Sequence, residues 1–215
     1  MAVTPPKPAT RATLAYTDAG PVPTEGLAVA PIEVFVQPGD LFVGDDSFRP
    51  RTLLGSCVSI TLWHPASRRG GLSHFLLPNR GQGGPEAPRS QAGPGSLTTR
   101  PDSALDARYG DEALELMLRQ LRQQGIAASQ LQAKIFGGGD MFPDQAQSGR
   151  MQVGRRNGLA ARALLEEASI RVVSASLFGI GHRQVIFDLG SGDVWVHQVR
   201  PAGLAGLADK MRRSQ

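Results

Sequence analysis

The chain has one cysteine in 215 residues. A lone cysteine excludes an internal disulfide and any cysteine-rich zinc site, and it is compatible with a reducing compartment. Long apolar runs are missing too: no stretch approaches the ~18 residues that a membrane helix needs, and the first residues carry no hydrophobic signal region. The expectation is a cytoplasmic protein with no membrane insertion. The formal net charge is +4 and the isoelectric point about 9.8, yet no run of five or six basic residues occurs. Phosphate-loop spacing and recognisable nucleic-acid motifs are also absent. The basic balance therefore reads as a solvated surface, and no nucleic acid partner is expected. No strand is followed by a dinucleotide-type glycine turn, and neither a cofactor nor a metal is expected.

Glycine and proline number 26 and 16, concentrated in a few places. Residues 1–27 hold prolines and alanines with little periodicity, the composition of a disordered arm. Residues 79–101 are rich in Gly, Pro, Ser and Gln and almost free of large apolar side chains. A stretch of that length inside a domain is read as a disordered insertion. The remainder, 28–200, is one domain, and 201–215 is a C-terminal tail.

Inside the domain the periodicity alternates between strand and helix. Ala28–Val36 is a strand candidate, followed by a turn at Gln37-Pro38-Gly39-Asp40. Leu114, Met117, Leu118 and Leu121 recur at helical spacing, with Gly125 as a C-terminal stop and Asp111 and Glu112 suited to the positive end of the helix dipole. Lys134–Phe136 forms a short strand ending in Gly137-Gly138-Gly139, glycines that serve equally a close backbone approach or a plain turn. A second helix runs from about Asn157 to Ala168, then a strand to Ser174, then a hairpin of Val185–Leu189 and Val194–Val199. Paired strands with helices between them predict a mixed α/β (α+β) protein, not a doubly wound nucleotide fold.

The chemistry concentrates in Arg51–Pro78, which holds the only cysteine and two of the four histidines. A Gly55-Ser56-Cys57 turn opens a β-branched run in which Cys57 and Ser59 share one face and Val58 and Ile60 the other. After a turn at His64-Pro65-Ala66-Ser67, a return strand carries His74. A thiol attacks only as thiolate, and a histidine beside it can take the proton and later return it. Such a pair would hold Cys57 partly as thiolate below the free-thiol range. A buried packing cysteine is the ordinary alternative.

Five ordered blocks resemble the CheD family, the chemoreceptor glutamine deamidases of bacterial chemotaxis. They are Thr52–Val58 with Trp63-His64-Pro65 and Gly70–Pro78, Arg108-Tyr109-Gly110-Asp111, Lys134–Gly138, Gly154-Arg155-Arg156-Asn157, and Arg183–Asp188. The resemblance implies a layered sandwich of two packed mixed sheets with helices outside. It places the nucleophile on Cys57, the general base on His74 and an active-site threonine on Thr52. The chain departs from the family pattern at Phe178 and His182, where glycines are expected, and at Gly139-Asp140, where a small residue and Asn are usual.

What the resemblance implies is hydrolysis of glutamine side-chain amides on chemoreceptor cytoplasmic helices. Gly55 and Ser56, where the turn exposes backbone N–H groups, are candidates for binding the oxyanion, and Phe136, Gly137 and Gly138 for lining a substrate groove. A CheC-type phosphatase is an implied partner. Two other readings stay open: a receptor- or CheC-binding module with secondary catalysis, and a cysteine amidohydrolase acting on another protein.

Overall fold

Among the residues described by the computed structural model, 30–82, 99–141 and 153–199, nine strands and two α-helices build three layers. In chain order the strands are β1 (Ile32–Phe35), β2 (Leu41–Gly44), β3 (Phe48–Leu54), β4 (Val58–His64) and β5 (Arg69–Ser73), then β6 (Gln132–Gly137), β7 (Arg171–Leu177), β8 (His182–Phe187) and β9 (Val194–Val199). Helix α1 is Gly110–Gln123 and α2 is Val153–Glu167. The first sheet has the order β1-β3-β8-β9 and the second β2-β5-β4-β6-β7. Both are mixed: β1 runs parallel to β3 and β6 parallel to β7, while every other pairing is antiparallel. The expected arm at 1–27, residues 83–98 of the insertion and the tail at 201–215 lie outside the described residues.

Strand β4 is covered on both faces, which its sequence explains. Val58, Ile60 and Leu62 point to one side and pack with Leu114, Met117, Leu118 and Leu121 of α1 and Ala161 and Leu165 of α2. On the other side lies a core shared by the two sheets, with Leu54, Val185 and Phe187 from the first and Leu72 and Phe136 from the second. Each such side chain contributes about 1.5–3 kcal/mol by leaving water. This is the packed pair of sheets with outer helices that the family resemblance implied.

The strand boundaries carry a finding for the site. Asp45–Pro50 reads as a polar lead-in, yet β3 begins at Phe48, because Phe48–Arg51 pair in parallel with β1, and Arg49 is also tied to Asp188 at 2.8 Å. At Gly55-Ser56-Cys57 the chain leaves the first sheet and enters the second. Cys57 therefore sits just before β4, at the seam between the layers. Gly125 takes φ +79° after α1, the left-handed stop expected there.

Glu112, in the first turn of α1 as expected, is also buried. It is 1% exposed and accepts from Arg80 (2.8 Å), Arg100 (3.0 Å) and the Asp106 N–H (2.7 Å). Burial raises its pKa, but these three donors outweigh burial and hold the carboxyl below its ordinary value. Arg80 and Arg100 flank the residues read as an insertion, so one buried carboxylate anchors both of its ends. Glu112→Ala should destabilise the protein by about 3 kcal/mol in urea unfolding, because it strands two guanidinium groups and an N–H, and Glu112→Gln by less. A loss under about 0.5 kcal/mol for Glu112→Ala would contradict this anchoring.

Candidate active site

The sheet register places the sequence-predicted residues together. Val58 and Phe75 exchange hydrogen bonds in both directions, at 3.1 and 3.0 Å, continuing the β4/β5 ladder beyond Ser73. In that register Cys57 lies opposite Leu76, and His74 is its diagonal neighbour on the same face of the sheet. Diagonal neighbours have Cβ atoms roughly 7 Å apart, within reach of a long side chain. The main chain of His74 is clamped as well: its N–H donates to Asp40 (2.9 Å) and its carbonyl accepts from Gly39 (2.8 Å).

Thr52 approaches from the other sheet. It is fully buried on the inner face of β3, where its hydroxyl donates to the Val36 carbonyl at 2.8 Å and lies 2.7 Å from His74 Nδ1. A threonine hydroxyl has one proton, and the carbonyl can only accept it. Thr52 Oγ1 must therefore accept from Nδ1–H, which fixes the neutral tautomer and leaves the lone pair on Nε2. His74 itself is 2% exposed. Burial pushes its pKa from 6.5 down to about 4, and the nearby Val36 carbonyl and Asp40 charge offset only part of that fall.

Cys57 is the exposed member of the group, half-buried where Thr52 and His74 are enclosed. Burial raises the pKa of its thiol, and hydrogen bonding from its own backbone lowers it by less. Burial thus disfavours the charged form of both groups, the opposite direction to the partly formed thiolate expected from the sequence.

The glycine triplet forms the bed of the nucleophile turn. Gly138 N–H donates to the Cys57 carbonyl and Gly139 N–H to the Gly55 carbonyl, each at 2.8 Å. Gly137 has φ +113°, and a Cβ there would meet the Cys57 carbonyl oxygen at 2.2 Å, so only glycine fits this close approach. Of the expected groove residues, Gly137 and Gly138 lie against the cysteine turn. Phe136 instead points into the inter-sheet core at 3% exposure. Phe178, at an expected glycine, takes the left-handed φ of +67°. Its carbonyl accepts from the buried Arg183, which also donates to the Ser176 carbonyl.

Sequence reasoning missed Asn157 as a site residue, although it ends one of the quoted blocks. Its Nδ2 donates to the Ser56 carbonyl (3.1 Å) and the Leu76 carbonyl (2.8 Å). Among the described residues no group of three or more His, Cys, Asp or Glu side chains is placed to hold a metal, and no helix is long and apolar enough to cross a membrane.

Fold and site together define a two-sheet α/β protein with a Thr/His/Cys cluster at the seam of its sheets. A family model described as CheD chemotactic sensory transduction matches residues 94–198, which begin after that cluster. Whole-length relatives include it. "Probable chemoreceptor glutamine deamidase CheD 2" of Albidiferax ferrireducens is 56% identical over 173 residues, 80% of this chain and 91% of that protein. Probable chemoreceptor glutamine deamidases CheD of Pseudomonas savastanoi pv. phaseolicola and Pseudomonas syringae pv. syringae are each 40% identical, over 77% and 85% of this chain and 85% and 94% of theirs. A span of 173 residues within 215 contains Thr52, Cys57 and His74 wherever it starts. The chain belongs to the CheD family.

The neutral buried imidazole makes stability depend on pH. In the unfolded chain His74 binds a proton below about 6.5, whereas in the folded protein it does so only below about 4. Its stabilising contribution is fully present above 6.5 and is lost as pH falls through that window, by up to about 3 kcal/mol. Subtracting the urea-unfolding profile of His74→Ala from that of the wild type should isolate this slope. Identical slopes in the two proteins from 6.5 to 4 would contradict the buried neutral state.

Proposed function

We propose that this protein is a chemoreceptor glutamine deamidase in which Cys57 is the nucleophile, His74 the general base and Thr52 the group that orients it. The observation that carries the reading is the Thr52–His74 hydrogen bond, which occupies Nδ1 and leaves the Nε2 lone pair to act as base on a residue diagonal to Cys57 in the sheet. As the sulfur attacks the glutamine amide carbon, the thiol proton passes to Nε2 and the C=O π pair moves onto oxygen. The protonated imidazole then gives its proton to the departing nitrogen, and ammonia leaves a thioester on Cys57. Water enters, Nε2 takes its proton, and the thioester breaks to glutamate and thiol. No step needs a metal or cofactor.

Exposure matches this substrate. Cys57 is the one member of the cluster that is not buried, so a long, unbranched side chain can reach it while the backbone that bears it stays outside. A glutamine projecting from a receptor helix has that form. We assign the substrate to chemoreceptor cytoplasmic helices, the location to the cytoplasm, and a role beside a CheC-type phosphatase to the family resemblance.

Incubation with receptor cytoplasmic fragments, followed by mass spectrometry of the glutamine peptides, tests this directly. The wild type should convert amide to acid at defined sites. Cys57→Ala and His74→Ala should lose roughly 10³-fold or more of that rate with unchanged circular dichroism, and Thr52→Val roughly 10-fold or more. Deamidation that survives in Cys57→Ala would remove the cysteine from the chemistry and leave a binding module.

A further inference from the structure

Three successive carbonyls of the nucleophile turn are occupied. Gly55 accepts from Gly139 N–H, Ser56 from Asn157 Nδ2, and Cys57 from Gly138 N–H. By contrast, the N–H groups of Ser56 and Cys57 donate to no other group among the described residues. In a trans peptide the carbonyl and the following N–H point in opposite directions. With the Ser56 carbonyl turned toward α2 and held there, the Cys57 N–H is turned away from α2.

Asn157 reaches the turn because the helix around it carries Gly154 and Gly158. A Cβ on Gly154 would meet the Gly138 carbonyl group at 2.7 Å, and one on Gly158 would meet the Phe178 ring at 2.6 Å. The two glycines let the helix axis close on the turn, so a short amide spans to it. The second acceptor is equally pointed: Leu76 stands opposite Cys57, one residue past the last backbone pair of the ladder. One fully buried amide therefore ties the cysteine strand to the histidine strand where the main-chain hydrogen bonds stop.

We propose that Asn157 is a positioning residue that holds the Ser56–Cys57 peptide so that the Cys57 N–H faces the sulfur side of the turn and receives the oxyanion. The inference rests on the Cys57 chemistry above and adds to it the group that aims the donor. The oxyanion forms on the carbon attacked by Cys57, and a donor already fixed beside that sulfur needs no reorganisation as charge develops. An oxyanion donor is typically worth 10²–10³ in turnover.

Two readouts separate aim from simple scaffolding. In receptor deamidation, Asn157→Ala should lower kcat by roughly 10²-fold and leave KM within about threefold. Asn157→Leu, close in volume and apolar, should do the same and serves if the alanine variant does not fold. The second readout needs no turnover: a receptor peptide bearing an aldehyde in place of the glutamine carboxamide adds Cys57 reversibly. The S–C bond forms, the C=O π bond opens, and the thiol proton passes by way of His74 to the oxygen or to solvent. That oxygen takes the oxyanion's place. Affinity for the aldehyde peptide should fall at least about 10-fold in the variants, while affinity for the matching amide peptide measured on Cys57→Ala backgrounds stays unchanged. Variants that keep wild-type kcat and aldehyde affinity overturn the role of Asn157 alone, as does an equal loss of aldehyde and amide binding. A folded wild type that neither deamidates receptor nor takes up the aldehyde overturns the deamidase reading itself.

Discussion

The Thr52 hydroxyl has one proton, and the direction in which it points decides the rest of the site. Given to the Val36 carbonyl, it obliges His74 to donate through Nδ1 and to present Nε2 as a base. Thr52 belongs to the first sheet and His74 to the end of a strand in the second, so the bond crosses the layers. The inter-sheet core of Leu54, Leu72, Phe136, Val185 and Phe187 keeps the sheets at the separation this bond needs. That core also excludes water from the imidazole, which is why its charge state is neutral. Packing and acid–base chemistry are here the same fact seen at two scales.

A second constraint is the closeness of backbones around the cysteine turn. Gly137, Gly138, Gly154 and Gly158 sit where any Cβ would collide with main chain or ring atoms. Glycines raise the entropy lost on folding, and the hydrogen bonds to Gly55, Ser56 and Cys57 offset that loss. The result is a turn whose three carbonyls are all engaged and whose cysteine is half-buried.

The cluster was legible in the sequence because its members come from one short stretch and resemble a family motif. Face sharing by Cys57 and Ser59 follows from the period of two, and the α1 face from the spacing of its leucines. Less was legible where partners lie far apart along the chain. Glu112 looks like an ordinary helix-start acid until Arg80 and Arg100 arrive from either end of the intervening stretch, and Asn157 is one polar residue among several until α2 docks. Strand β3 was obscured by Pro50, a residue that normally argues against a strand, and the packing of two sheets came from resemblance, since propensity does not encode it. Pairing alone suggests a partly ionised thiol, whereas burial acts on both partners in the opposite direction.

The central claim is that Cys57 and His74 rest as a neutral pair and exchange a proton only when substrate is attacked. The pH dependence of Cys57 alkylation tests it without interference, since the chain has no other cysteine. Burial predicts an inflection above that of an ordinary thiol, little changed in His74→Ala. An inflection below about 7 that moves upward in His74→Ala would instead reveal a preformed thiolate–imidazolium pair and contradict it.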